Sequence, residues 1–341
     1  MKRILIFELN WLGDILFSFP FLRSIREANP DAYIACAVVP RYSELLVNNP
    51  YINEIIFLSD SRGITAFFEK LFFIFKIKAK KFDTSFLLKP SRVKAFMAKA
   101  AGIKERVGFL GKKDDITLKV EPPRVSMHRI SFLLELAKVY GIKVASDRYE
   151  YFISEDNIKS AEKILFKKIA GIDICFKNFI VLNPGGNWGP KRWPSKNFVF
   201  LGQRILDAYP DFFIVITGAS KDKILAESII KQIDRKNVLN IAGITGLNTL
   251  AAIFKKARLV ISADSGPMHL ASSVGTQTIA LFGPTLADLT GPRGIGKNYV
   301  IQHNLGCVLP CYEVKCPRNV ECMTSVTPEE VFIEVRKALS V

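Results

Sequence analysis

The sequence predicts an α/β protein built as two doubly wound, mostly parallel sheets. Three observations predict it. Strand-like and helix-like patterns alternate from end to end, the signature of β-α-β units. The strand-like runs are almost wholly apolar, as expected for strands covered on both faces. At 341 residues and 49% hydrophobic content, the chain exceeds one ordinary core and can bury two.

In the first half, RILIFEL, YIACAVV and TSFLLKP read as buried strands. Helical stretches fall between and around them, near 14–28, 42–48 and 64–80. Ser154-Glu155-Asp156-Asn157 caps a helix over about 155–170. The stretch 171–178 then reads as the junction between halves, giving domains 1–172 and 173–341. In the second half NFIVLNPG, FFIVITG, VLNIAG, LVISAD and IALFGP read as strands. Helices are expected over 196–208, 221–233, 247–256 and 267–274. No solenoid-length repeat or low-complexity tract interrupts this order.

The opening MKRILIFELNWLGDILFSFPF has two basic residues before an apolar stretch, as a signal peptide does. Glu8, Asn10 and Asp14 break that stretch and no small-residue cleavage site follows, so it reads as a first strand entering a helix. No run reaches the ~18 apolar residues of a membrane span. A cytoplasmic protein is expected, peripheral on a membrane at most. The formal net charge of +16 predicts an anionic partner: nucleic acid, a phosphorylated substrate or an anionic membrane face. No helix-turn-helix, finger or RNP pattern accompanies it, so nucleic acid is not expected.

In doubly wound sheets ligands sit beyond the carboxyl ends of the strands, and three strand ends carry chemistry. The first is Glu8-Leu9-Asn10-Trp11-Leu12-Gly13-Asp14, where Asp14 is either a helix cap or a general base. The second is Asn183 to Pro194, NPGGNWGPKRWP. Its glycines permit close backbone approach, and Lys191 and Arg192 offer charge to a phosphate. It is neither a Walker loop nor a dinucleotide fingerprint. A basic surface turn anchored by two tryptophans is the plainer alternative. The third is VISADSGPMHLASSVG. Ser265 can cap a helix with Pro267 in its first turn, and that N-terminus favours an anion. Asp264 repels a phosphate but suits sugar hydroxyls, and His269 lies one turn on.

At these blocks the chain resembles glycosyltransferase family 9, the ADP-heptose:lipopolysaccharide heptosyltransferases. Carrying the resemblance are Gly13-Asp14, the NPGGNWGPKRWP loop, ADSGPMHLASSVGTQTIALFGPT, the weaker SRVKAFMAKAAGIKERVGF, and the cysteine-rich CVLPCYEVKCPRNVECMTSVTPEEV. It implies a GT-B fold, an acceptor-binding N-terminal domain and a nucleotide-sugar-binding C-terminal domain. It implies that the last helix, about 327–339, crosses back to the first domain. It also implies an inverting transfer without metal or other cofactor, from ADP-heptose to the lipid A-linked core (Kdo or heptose acceptor). The roles implied are Asp14 as base, with Lys191, Ser265 and Gly266 on the donor phosphates. Asp264 and His269 would serve the donor sugar, Asp222 the ribose and Thr245 the adenine edge. Arg92 and Lys94 would lie on the acceptor side. The alternatives are a GT-B transferase for another nucleotide sugar and a basic, non-catalytic ligand-binding protein.

Two further features invite a structural answer. ITAFFEKLFFIFKIKAKKF (64–82) reads either as a core helix with a solvated basic end or as an interfacial helix on the anionic inner membrane. Cys307, Cys311, Cys316 and Cys322 lack zinc-ribbon spacing, so reduced packed thiols or an occasional disulfide are expected over a metal site. Cys36 and Cys175 are expected in the core.

Overall fold

The computed structural model describes all residues except 62, 112–114, 170–177, 314 and 341. Contacts divide the chain into two compact units, Met1–Phe152 and Ile153–Val341.

The first unit has the order β1 (Arg3–Phe7), α1 (Leu12–Ala28), β2 (Tyr33–Val38), β3 (Glu54–Phe57), α2 (Ile64–Ala79), β4 (Thr84–Leu87), α3 (Arg92–Ala100), β5 (Glu105–Phe109), β6 (Leu118–Val120) and α4 (Arg129–Val139). Its sheet runs β3-β2-β1-β4-β5-β6 with every pairing parallel. The core residues Leu5, Phe7, Ala35, Ala37 and Leu87 pack under helix residues Phe73, Ile77 and Met97.

The second unit runs α5 (Glu155–Ile169), β7 (Phe179–Asn183), α6 (Ser195–Ala208), β8 (Phe213–Ile216), α7 (Lys223–Ile233), β9 (Val238–Asn240), α8 (Leu247–Lys256), β10 (Leu259–Ala263), α9 (Gly266–Ser273), β11 (Thr278–Phe282), α10 (Ala287–Thr290), β12 (Asn298–Gln302), α11 (Glu321–Thr324) and α12 (Pro328–Leu339). Its sheet runs β12-β11-β10-β7-β8-β9, again all parallel. Numbered within each unit, both sheets share the order 3-2-1-4-5-6. Each chain path reverses direction across the sheet beside its first strand, at β1/β4 and at β7/β10. Those are the switch points where such sheets bind ligands.

Several elements depart from the sequence reading. The stretch read as a helix near 42–48 is a 3-10 turn over Pro40–Leu46, consistent with the fixed φ of its leading proline. Strands β3, β5, β6 and β12 escape detection because polar residues interrupt or trim their apolar runs, as in GluIleIlePhe, GluArgValGlyPhe, LeuLysVal and AsnTyrValIleGln. Helix α5 packs on α8, with Lys256 paired to Glu162 at 2.7 Å, so the contact division falls before α5. Helix α12 packs against α6, β10 and β11. The proposed junction 171–178 lies, except for Asn178, outside the described residues, as does Cys175. Cys36 is fully buried on β2.

Trp193 ties the loop after β7 into the second core. It is buried, its indole N–H donates to the Val326 carbonyl at 2.9 Å, and its ring meets Phe198 edge-on. Trp193→Ala should therefore cost about 3–5 kcal/mol. Urea unfolding should show the loss as a lower midpoint for the second unit.

Candidate functional site

The second switch point is built around Asp264, the residue that follows β10. Its backbone N–H continues the ladder to the Leu281 carbonyl at 3.0 Å, which fixes where the side chain emerges. The carboxylate is buried. Its Oδ2 accepts from Lys191 Nζ at 2.5 Å and from the Thr285 hydroxyl at 2.6 Å. Three separate loops thus converge on one oxygen: the β7–α6 loop, the β10–α9 turn and the loop after β11. A buried carboxylate is costly unless paired and hydrogen-bonded, so this convergence is what permits Asp264 to be there. Lys191 also lies 5.9 Å from the Trp188 ring centroid, within cation–π range.

Ser265 caps α9. Its backbone is extended (φ −156°, ψ 164°), and its hydroxyl accepts from the Met268 N–H at 3.5 Å. Pro267 occupies the first turn, where a missing N–H costs nothing. The Ser265 hydroxyl also sits 2.9 Å from that of Ser262. Asn183 Nδ2 donates to Ser262 at 3.1 Å and accepts, through Oδ1, from Thr217 at 3.0 Å. A line of polar side chains therefore runs beneath the site across β8, β7 and β10 to the cap of α9. His269 is buried in the first turn of α9.

Lys191 and Arg192, adjacent in sequence, take different partners. Arg192 donates to the Gly186 carbonyl and lies 3.7 Å from Asp222. Asp222 is buried in a 3-10 turn after β8, and its Oδ2 accepts the Ala219 N–H at 3.0 Å. The Asp222 carboxylate lies against Gly185: a Cβ at that position would sit 2.5 Å from Oδ2. The glycine is thus required for backbone to pass this carboxylate. Thr245 is half-buried in the loop between β9 and α8.

At the first switch point Asp14 lies in the first turn of α1. The N-cap position falls three residues earlier, on Trp11, so Asp14 is not the N-cap residue but a first-turn acid. Arg92 opens α3 and is exposed, while Lys94 is half-buried. Lys94 Nζ donates to the Glu8 carbonyl at 2.8 Å.

Glu8 is the residue that sequence reasoning missed. It is fully buried at the end of β1. Its carboxylate accepts from Ser18 at 3.0 Å and from the Leu9 N–H at 3.2 Å, with the Cys36 thiol 4.0 Å away. Burial pushes its carboxyl up to about 7, against the pull of these hydrogen bonds and of Lys94. Burial brings the Lys94 ammonium down to about 8, opposed by Glu8 and assisted by Lys89. The sequence signal was present: a lone acid after four apolar residues of a central strand.

The cysteine tail carries free thiols at Cys307, Cys311, Cys316 and Cys322. Burial, and then the three neighbouring cysteines, push the Cys322 thiol up. Among the described residues, no group of three or more His, Cys, Asp or Glu is arranged to hold a metal ion.

Residues 72–319 match the family profile described as "Glycosyltransferase family 9 (heptosyltransferase)". Lipooligosaccharide heptosyltransferase 2 of Haemophilus ducreyi is 24% identical along 99% of both chains. The structure of E. coli ADP-heptose lps heptosyltransferase II superposes with a TM-score of 0.80 at 22% identity, covering 99% of this chain and 98% of that one. A family 9 glycosyl transferase from Veillonella parvula gives a TM-score of 0.86 at 22% identity, covering 99% and 97%. The two matched sheets give this chain the GT-B fold. Within that fold class, the chain belongs to glycosyltransferase family 9, the heptosyltransferase family.

The Glu8 carboxyl gives a pH signature. The folded chain holds this proton up to about pH 7, the unfolded chain only to its ordinary value of 4.5. Between those values the unfolded state binds fewer protons, so stability falls as pH rises. The contribution lost is about 3 kcal/mol, complete above the folded value. Glu8→Gln keeps the shape without the charge and should flatten this fall. Urea midpoints measured over that window should therefore diverge between wild type and variant. Parallel curves would remove the assignment.

Proposed function

We propose that this protein transfers a heptose from ADP-heptose to the inner core of lipopolysaccharide, on a Kdo or heptose acceptor carried by lipid A. The Haemophilus ducreyi relative is by name a lipooligosaccharide heptosyltransferase, and the E. coli structure is by its title an ADP-heptose lps heptosyltransferase. The observation that carries the reading is the Lys191–Asp264–Thr285 convergence at the mouth of α9.

The donor half follows from this geometry. An α-helix N-terminus and a lysine offer positive charge to a diphosphate. Asp264 would repel that diphosphate if bare. Paired to Lys191 it is locally neutralised, and its remaining acceptor capacity suits sugar hydroxyls. Ser265 and Gly266 supply backbone N–H groups at the helix start, and buried His269 supports the same wall. Asp222 and Thr245 lie after the second and third strands of the unit, the side assigned to ribose and adenine.

The reaction is a single in-line displacement with inversion at the sugar C1. Asp14 takes the proton of the acceptor hydroxyl as its oxygen bonds to C1. The C1–O bond to the diphosphate breaks, and ADP leaves with the electron pair. General-base catalysis of this kind contributes ~10²–10⁴-fold. Charge growing on the diphosphate is met by Lys191 and the helix start. No metal takes part in these steps. Arg92 and Lys94, at the first switch point, serve an acceptor rich in phosphate and carboxylate. Transfer to a lipid-anchored core sets the work at the cytoplasmic face of the inner membrane.

Calorimetry against ADP-heptose, ADP and uridine diphosphate sugars tests the donor half. ADP-heptose should bind best, and Lys191→Ala should weaken ADP at least tenfold. Preference for a uridine nucleotide would keep the fold and overturn the donor. With acceptor present, Asp14→Asn should lower kcat by ~10²–10⁴-fold while ADP affinity stays within twofold. Substantial residual turnover would move the base elsewhere.

A further inference from the structure

Helix α2 carries two apolar faces, and only one is used. Ala66, Phe73 and Ile77 are at most 3% exposed and seal the first core, with the Phe73 ring 6.0 Å from that of Phe7. On the other side Phe67, Phe68, Leu71, Phe72 and Phe75 are between 38% and 72% exposed. Their spacing, i, i+1, i+4, i+5 and i+8, puts all five on one side of an α-helix. Four exposed phenylalanines on one helix form the kind of contiguous apolar surface that marks an interaction site. The neighbouring helix α3, packed beside α2, adds exposed Val93 and Phe96.

The charges around this face select its partner. Lys76, Lys78 and Lys81 are exposed at the C-terminal end of α2, and Lys70 lies along it. Lys80 is committed to Glu54 at 2.8 Å. The single acid of the helix, Glu69, accepts a hydrogen bond from Ser61. A protein partner would have to cover both the rings and this ring of ammonium groups. A bilayer of anionic lipid meets both at once, taking the rings between its acyl chains and the lysines among its headgroups. The helix is 16 residues long, and among the described residues no helix is long and apolar enough to cross a membrane. It therefore fits a helix lying in the interface.

We infer that the Phe67–Phe75 face of α2, with Lys76, Lys78 and Lys81, docks the protein onto an anionic bilayer surface. The inference rests on the proposed transfer reading for its role, since a lipid-borne acceptor is reached at that surface. It rests on the exposed face alone for its physics.

The test is co-sedimentation of the full chain with vesicles of phosphatidylethanolamine and phosphatidylglycerol, against pure phosphatidylcholine vesicles. No glycan is present, so the outcome is independent of the transfer reaction. Wild type should bind the anionic vesicles at low salt and lose at least tenfold in affinity at high salt. A Phe68→Ser/Phe72→Ser/Phe75→Ser variant should lose at least tenfold at any salt. A Lys76→Gln/Lys78→Gln/Lys81→Gln variant should lose most of the salt dependence. The far-ultraviolet circular dichroism and the urea midpoint of the first unit, which contains α2, should be unchanged in both variants and report that this unit is folded. Failure of wild type to bind anionic vesicles at low salt would overturn the inference, as would binding untouched by either triple substitution. Concentration-dependent self-association abolished by the phenylalanine changes, without vesicle binding, would assign the face to a second copy instead.

Discussion

The arrangement of the second unit depends on keeping one carboxylate, Asp264, inside the protein. Its position at the end of the central strand β10 is fixed by the ladder, so it cannot move to water. It must be matched where it stands, by Lys191 and Thr285. Each of those residues lies on a loop that needs its own anchor. The loop bearing Lys191 is held by buried Trp193 and by the close passage of Gly185 past Asp222. The loop bearing Thr285 is held by Gln302, whose side chain bonds the Thr285 carbonyl and the Ala287 N–H. Burial, pairing and loop anchoring are thus successive consequences of a single charge.

The two units repeat one topology with different electrostatics. Each places an acid at the carboxyl end of a strand flanking its switch point, and each brings a lysine to it. At Asp264 the lysine meets the carboxylate directly. At Glu8 the lysine meets the backbone carbonyl, and the carboxylate is left to a serine, a backbone N–H and a thiol. That difference separates a satisfied ion pair from a desolvated acid whose proton is held to about pH 7.

Much of this was legible in the sequence where a single physical rule dominates. Strands with unbroken apolar runs, such as PheIleValLeu in β7 and LeuValIle in β10, buried on both faces, announced themselves. So did the Ser265–Gly266–Pro267 helix start. Strands interrupted by polar residues did not, because a stretch such as LeuLysVal becomes a strand only through neighbours supplied elsewhere. The candidate site was legible as residue types at strand ends. Its pairings were not: nothing in the adjacent Lys191 and Arg192 tells that one turns to Asp264 and the other to Asp222. Nor did an apolar pattern with two hydrophobic sides say which side of α2 would be covered.

The polar line from Thr217 through Asn183 and Ser262 to Ser265 has a consequence for binding kinetics. It crosslinks three strands to the cap of α9 beneath the site, so the orientation of that helix start is established during folding. A ligand meeting it has no segment of this wall to order. Rotational and side-chain entropy that a floppy cradle would surrender on each encounter has already been given up once. Association at such a wall is limited by delivery of the ligand, with discrimination between ligands expressed in how slowly each departs.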